Sequence, residues 1–303
     1  MSLTLAVTGG TGFVGRHVLR LAGERGHHVR ALTRRPQPAG EAIDWVEGAL
    51  DRPSSLDTLV AGADAVIHIA GVVNAPDEAG FHAGNVAGTA AIVQAAEAAA
   101  VRRFVHVSSL AAREPDLSAY GRTKAGAETV VTRAPLDWTL VRPPAIFGPG
   151  DTEMFEMFRM AKRGIVALPP GGRLSVIAVE DLARLLLDLV PARETAGKVY
   201  EPDDGRPGGW THRDFALAIG AAVGRRVMPL ALPAPLLHCA AAADRLARGP
   251  RAKLTSDRVR YFCHPDWTAD PAKAPPSALW RPREETAAAL ARTAAWYRAQ
   301  GWL

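Results

Sequence analysis

Cysteine and lysine are scarce in this chain. Two cysteines, Cys239 and Cys263, occur in 303 residues, which excludes a disulfide scaffold or a cysteine-ligated zinc site and suits a reducing cytosol. The histidines show no metal-ligand spacing either. Lysine stands only at positions 124, 162, 198, 253 and 273, so arginine carries the net charge of +5. The arginines come singly or in pairs such as Arg34-Arg35, Arg102-Arg103 and Arg225-Arg226, without the patch or stripe that nucleic acid demands. No apolar run approaches the roughly 20 residues of a membrane helix. The first residues also lack the basic start of a signal peptide. The expectation is a cytoplasmic protein with a small-molecule substrate. No nucleic-acid partner, membrane or metal is expected, and the chain should be a monomer or homodimer.

What is present is an ordinary globular balance, 48% hydrophobic and 22% charged, with enough apolar surface to offset the entropy of ordering. At roughly 100–200 residues per domain, the length fits one large or two medium domains. Strand-like and helix-like segments alternate through the first half. Strands are expected over 3–8, 28–33, 43–46, 65–69, 104–108 and 138–142. Helices are expected over 13–25, 55–61, 79–100 and 118–133. The runs Leu-Ala-Val, Ala-Val-Ile-His-Ile-Ala and Phe-Val-His-Val are continuously apolar, as in strands covered on both faces. This is an α/β pattern, a doubly wound parallel sheet.

After about residue 145 the texture breaks at Pro143-Pro144, Gly148-Pro149-Gly150 and Pro169-Pro170-Gly171-Gly172. Helices remain expected over 151–162, 179–190, 211–223, 234–247 and 284–300. The organisation read from this is a dinucleotide-binding domain over 1–165. A smaller, loop-rich, mainly substrate-binding domain follows over 166–303, with some segments, such as the one near Val199-Tyr200, returning to the sheet.

The first strand runs into Gly9-Gly10-Thr11-Gly12-Phe13-Val14-Gly15. Glycine at 9 permits the tight turn, at 12 lets backbone approach a pyrophosphate, and at 15 lets the helix pack close to the strand. The diphosphate would lie on the free N–H groups of that helix. An NAD enzyme usually carries an acid at the end of the second strand to accept from the ribose 2′-hydroxyl. None occurs between Glu24 and Glu41. Arg34 and Arg35 stand there instead and suit a 2′-phosphate. The cofactor expected is NADP, with NAD left open.

Tyr120 and Lys124 are four residues apart on one helical face. A nearby cation favours the phenolate and prepares the tyrosine for proton transfer near neutral pH. Ser108-Ser109 closes the preceding strand at the carboxyl edge of the sheet, where open α/β sheets bind ligands.

In these motifs the chain resembles the short-chain dehydrogenase/reductase superfamily, in its extended or atypical branch, the NAD-dependent epimerase/dehydratase family. The resemblance rests on the Gly9/Gly12/Gly15 turn, Val66–Gly71, Asn85–Thr89, Val105–Ser109 and Tyr120-x-x-x-Lys124. It continues through Arg142–Gly150 and Val179–Ala183, so it spans residues 3 to about 190. It implies a Rossmann sheet. It also implies Tyr120 as general acid/base, Lys124 holding the nicotinamide ribose and lowering the tyrosine pKa, and Ser109 polarising the carbonyl. Asn85 falls where the family has a helix asparagine near the site, the alternative being an asparagine capping its own helix bend. Ala70 and Gly71 would lie against the cofactor, and Pro143 near the nicotinamide amide.

Departures bear on the substrate. Eleven positions separate Ser109 from Tyr120, fewer than in sugar-nucleotide epimerases, and Ala145 occupies the place of their diphosphate-contacting asparagine. Ala49 stands where the family often has an adenine-contacting aspartate. The reading is an NAD(P)-dependent oxidoreductase acting on a carbonyl or alcohol. A nucleotide-sugar epimerase or dehydratase and a non-catalytic dinucleotide-binding accessory protein remain the alternatives.

Overall fold

The run Thr4–Thr8 forms β1, buried in all but its first residue, and leads through the glycine turn into α1 (Phe13–Glu24). There follow β2 (His28–Thr33), β3 (Ile43–Glu47), α2 (Pro53–Val60) and β4 (Ala65–His68). The segment expected as one alanine-rich helix over 79–100 is broken into α3 (Glu78–His82), a π-helical turn at Ala83–Ala87, and α4 (Gly88–Ala98). Side-chain crowding accounts for this. Cβ atoms on Gly84 and Gly88 would strike Val72 and Leu50 at 2.2 and 2.7 Å, so the helix approaches the neighbouring loops through glycine and widens between them. Then come β5 (Arg103–Val107), α5 (Ala119–Arg133) and β6 (Asp137–Val141). The hydroxyl of Ser118 caps α5 by accepting from the Gly121 N–H at 3.0 Å.

The computed structural model describes residues 2–38, 40, 42–249, 252 and 254–303. Its chain divides into two units. One holds Met1–Arg142, Leu182–Glu201 and Pro275–Arg281, the other Pro143–Asp181, Pro202–Ala274 and Pro282–Leu303.

The first unit is built on one sheet. After β6 the chain forms β7 (Ala145–Phe147), β8 (Ile165–Leu168), β9 (Arg173–Leu174), β10 (Val176–Ala178) and β11 (Lys198–Tyr200). Of these, β11 joins the first unit, completing a seven-stranded sheet in the order β11-β6-β5-β4-β1-β2-β3. Every pairing in it is parallel, and β4 and β5 are buried at each residue. This is the doubly wound Rossmann sheet with flanking helices. Strand order reverses between β1 and β4, and the crevice at the carboxyl ends of such a pair is where these sheets bind ligands. Leu56, Leu59, Ile92, Phe104 and Leu140 anchor its core.

In the second unit β7 pairs with β10 in parallel, and β8 pairs with β13 (Met228–Ala231). Strand β9 lies between β12 (Trp210–Thr211) and β14 (Asp266–Trp267). Its helices are α6 (Phe155–Lys162), α8 (His212–Val223), α9 (Ala234–Arg248), α10 (Ser256–Phe262) and α11 (Thr286–Ala299), while α7 (Val179–Leu189) leads the chain back into the first unit. Helix α6 begins later than its apolar spacing suggests. Asp151 spends its carboxylate on the N–H groups of Glu153 and Met154 in a turn ahead of it. Helix α10 is not foreseen in the sequence. Phe147, Phe158, Phe215 and Tyr297 are fully buried in the core, and Trp296 and Trp302 stack around Tyr297 as packing residues. Among the described residues no helix is long and apolar enough to cross a membrane, and no His, Cys, Asp and Glu cluster could hold a metal.

Candidate active site

The glycine turn meets the loop after β4 through backbone alone. Gly9 has φ +76°, and a Cβ on it would stand 2.7 Å from the Ala70 nitrogen. The Gly12 N–H donates to the Gly9 carbonyl at 3.0 Å and closes the turn. A Cβ on Gly15 would lie 2.1 Å from that same carbonyl oxygen, so glycine is required there for α1 to start so close to β1. A Cβ on Gly12 would meet only the Gly9 carbonyl oxygen, at 3.2 Å, with no other atom within 4 Å. Thr11 is exposed, Phe13 and Val14 are half-buried, and Gly15 is buried. Helix α1 has no side-chain cap and no acid in its first turn. Its free N–H groups and the positive end of its dipole are left for an anion. These features fit a dinucleotide diphosphate.

Behind the turn runs a buried hydrogen-bond chain with a fixed direction. The Thr89 hydroxyl donates to the Asn85 carbonyl at 2.6 Å, so it accepts from His68 Nε2 at 2.9 Å. His68 Nδ1 is then the acceptor of the Thr8 hydroxyl at 2.6 Å, and Thr8 Oγ1 accepts from the Ala70 N–H at 3.3 Å. Burial holds His68 down to about 3, with the Lys124 charge adding to the effect, so the ring is neutral and suits this relay. Strand ends and helix are thereby locked to one another. Nothing in the residue spacing of Thr8, His68 and Thr89 announced this.

Asn85, on the π-helical turn, is buried. Its Oδ1 accepts from the Val72 N–H at 2.7 Å, and its Nδ2 donates to the Val72 carbonyl and the Thr123 hydroxyl, both at 3.0 Å. It therefore holds the loop after β4 against α5; it does not cap its own helix. A Cβ on Gly71 would lie 3.1 Å from Asn85 Oδ1 and 3.7 Å from Lys124 Nζ. Gly71, Asn85 and Lys124 are thus brought together. The Nζ of buried Lys124 donates to the Val107 carbonyl at 2.8 Å. Burial lowers its pKa to about 8, against the opposing charge of Glu128.

Tyr120 sits in the first turn of α5 with its ring 6.3 Å from that of Phe81. Ser109 follows β5, and its Oγ accepts from the Ala111 N–H at 3.2 Å, capping a short 3₁₀ turn at Leu110–Arg113. Its neighbour Ser108 points elsewhere and donates to Glu128 at 2.5 Å. Glu128 also binds Arg142, which reaches Glu201 in turn. This buried charge network under Lys124 was missed in the sequence, where Glu128 looks like any helix glutamate.

Arg34 and Arg35 are exposed just past β2. The Thr33 hydroxyl fixes their turn by bonding both the N–H and the carbonyl of Arg35. Pro143, next after Arg142, is the first residue of the second unit.

Comparisons with known proteins show the family. A family model described as NAD(P)H-binding matches residues 9–191. The chain is similar to a ceramide reductase of Caulobacter vibrioides, 36% identical over 99% of this chain and 96% of that one. It is also similar to a 2-alkyl-3-oxoalkanoate reductase of Stenotrophomonas maltophilia, 30% identical over 89% and 93% of the two chains. Among solved structures, MoeE5 in complex with UDP-glucose and NAD superposes with a TM-score of 0.76 over 99% of both chains at 22% identity, a likeness of fold. The chain belongs to the extended short-chain dehydrogenase/reductases, the NAD-dependent epimerase/dehydratase family, and is an NAD(P)-dependent oxidoreductase or epimerase.

Proposed function

We propose that the chain is an NADP-dependent reductase of a ketone on a long-chain, lipid-like molecule, with Tyr120 as general acid/base. The observation that carries this is the meeting of Gly71 and Asn85 with the buried Lys124 ammonium, which stands on the same helix as Tyr120. The named activities of the two similar reductases, on a ceramide and a 2-alkyl-3-oxoalkanoate, suggest the substrate class.

In this reading the first unit takes the cofactor and the second mainly the substrate. The turn Gly9, Thr11, Gly12, Phe13, Val14 and Gly15 holds the diphosphate, while Ala70, Gly71 and Pro143 border the nicotinamide half. Arg34 and Arg35 pair with a 2′-phosphate. When bound, the reduced cofactor supplies the hydride. Ser109, whose oxygen already accepts from Ala111, turns its hydroxyl proton to the ketone oxygen and polarises it. Tyr120 gives that oxygen its proton, and the Lys124 charge stabilises the phenolate left behind. Alcohol oxidation uses the same groups in reverse. Ala145 and the arginine pair argue against a nucleotide-sugar epimerase, and the presence of both Tyr120 and Lys124 argues against a silent accessory protein.

The test is NADPH oxidation with long-chain 3-oxo amides and 3-oxo acids. Tyr120-dependent turnover is expected. A protein that binds NADPH firmly yet turns over no ketone belongs to the accessory class instead.

A further inference from the structure

Helix α9 turns its apolar side to solvent. Of its fifteen residues only Ala241 is buried. At about 100° per residue, Leu236, Cys239, Ala243 and Leu246 form one stripe, opposite Ala241. All four are exposed, Leu236 by 53% and Leu246 by 90%. Asp244 lies outside the stripe, and Arg245 and Arg248 lie on the opposite side of the helix, near Ala241. The neighbouring elements continue the pattern. Helix α10 packs on α9 and ends in Phe262, 45% exposed. Strand β13 exposes Met228, which lies in register with exposed Ile165 on β8.

The charge of this region is as uneven as its polarity. Among the described residues of 225–262, six arginines stand against two aspartates, a surplus of four. Both aspartates are ion-paired, Asp244 with Arg248 at 3.1 Å and Asp257 with Arg260 at 2.5 Å. An exposed apolar stripe in a basic segment, with Arg225 and Arg226 exposed just ahead of Met228, matches the surface of an anionic bilayer. Leucine side chains enter the acyl boundary, and guanidiniums remain at the phosphates. A second copy of the chain would set two cationic surpluses face to face, which repel.

We propose that α9, with α10 and β13, docks the protein on the surface of an anionic phospholipid bilayer. The contact is peripheral, not a span, and it revises the sequence expectation of no membrane partner. It stands on this face alone and does not depend on the reaction.

The experiment is sedimentation of the full-length protein with vesicles of phosphatidylcholine, alone or mixed with phosphatidylglycerol. Binding is expected to the mixed vesicles only, weakening as salt rises. The double variant Leu236→Glu/Leu246→Glu should lose about tenfold or more in affinity, and Arg226→Glu a smaller part, about fivefold. Circular dichroism and the NADPH-induced thermal shift should match wild type in both. Should the glutamate pair disturb folding, Leu236→Ala/Leu246→Ala gives an intermediate loss. Three results overturn the proposal: wild type left in the supernatant with mixed vesicles, undiminished binding by well-folded variants, or a wild-type dimer that the double variant dissociates.

Discussion

Arg142 grips Glu128 with two hydrogen bonds, Nε to Oε1 at 2.8 Å and Nη2 to Oε2 at 2.6 Å. The same carboxylate accepts from Ser108 at 2.5 Å, and Arg142 and Arg113 share Glu201 at 3.4 and 3.1 Å. The ends of β5 and β6 are thereby tied to α5 one helical turn past Lys124. The network holds the helix of the candidate acid/base against the sheet edge.

Removing one partner of such a pair leaves a charge uncompensated away from water, which typically costs about 3 kcal/mol or more. Glu128→Ala should lower the unfolding free energy by about that amount in urea titration. A loss under about 1 kcal/mol, the range of exposed ion pairs, would show that Arg142 finds water or Glu201 instead.

Tyr120→Phe keeps the ring and removes only the proton donor. Turnover of any ketone that the enzyme reduces should fall by roughly 10²–10⁴-fold, while NADP affinity stays within a factor of two or so of wild type. Full activity in the variant would refute the proposed mechanism.

The sheet was readable because buried parallel strands are continuous apolar runs and glycine marks the turn that follows. The same local logic singled out Tyr120, Lys124 and Ser109 as candidates. What escaped is what depends on distant partners. Asn85 is the clearest case: the resemblance places it near the site, with a cap on its own helix bend as the alternative, and its bonds run instead to Val72 and Thr123, which lie 13 and 38 residues away. Thr8, His68 and Thr89 likewise read as ordinary strand and helix residues until the fold stacks β1, β4 and α4. Glu128 and Glu201 are separated by more than seventy residues, so no local pattern joins them. In the second unit the strands have two to four residues each and are set by tertiary packing, with too few residues to show a period.

The glycine turn separates folding from binding. Gly15→Ala places a Cβ 2.1 Å from the Gly9 carbonyl oxygen, so it should both destabilise the chain and abolish the cofactor-induced thermal shift. Gly12→Val puts its side chain into the space proposed for the diphosphate. It should keep wild-type circular dichroism and urea midpoint while losing the thermal shift. Cofactor binding by Gly12→Val would place the diphosphate elsewhere.

NADP should stabilise the protein more than NAD at equal concentration, and a tenfold tighter affinity corresponds to about 1.4 kcal/mol. Arg34→Ala should remove most of that preference and leave NAD binding nearly unchanged. Calorimetric titration with both dinucleotides decides it. Equal affinities in the wild type would leave Arg34 and Arg35 as solvated surface groups.

Lys124 sets function against stability, and pH reveals the conflict. Burial lowers its pKa from 10.5 to about 8. Below about 8 the folded protein carries a buried ammonium at its full cost. Between that value and 10.5 the folded chain sheds the proton while the unfolded chain keeps it, so the cost shrinks. At 1.36 kcal/mol per pKa unit, the penalty is roughly 3 kcal/mol near neutrality. Lys124→Met removes it, and gives up about 1 kcal/mol with the Val107 hydrogen bond. The variant should therefore be about 2 kcal/mol more stable than wild type in urea titration at about pH 7, with the advantage fading as pH rises through 8 toward 10.5. Turnover and cofactor affinity should both fall, because the same ammonium serves ribose and phenol in the proposed mechanism. A methionine variant less stable than wild type at neutral and alkaline pH alike would mean that Glu128 and Val107 repay the burial in full.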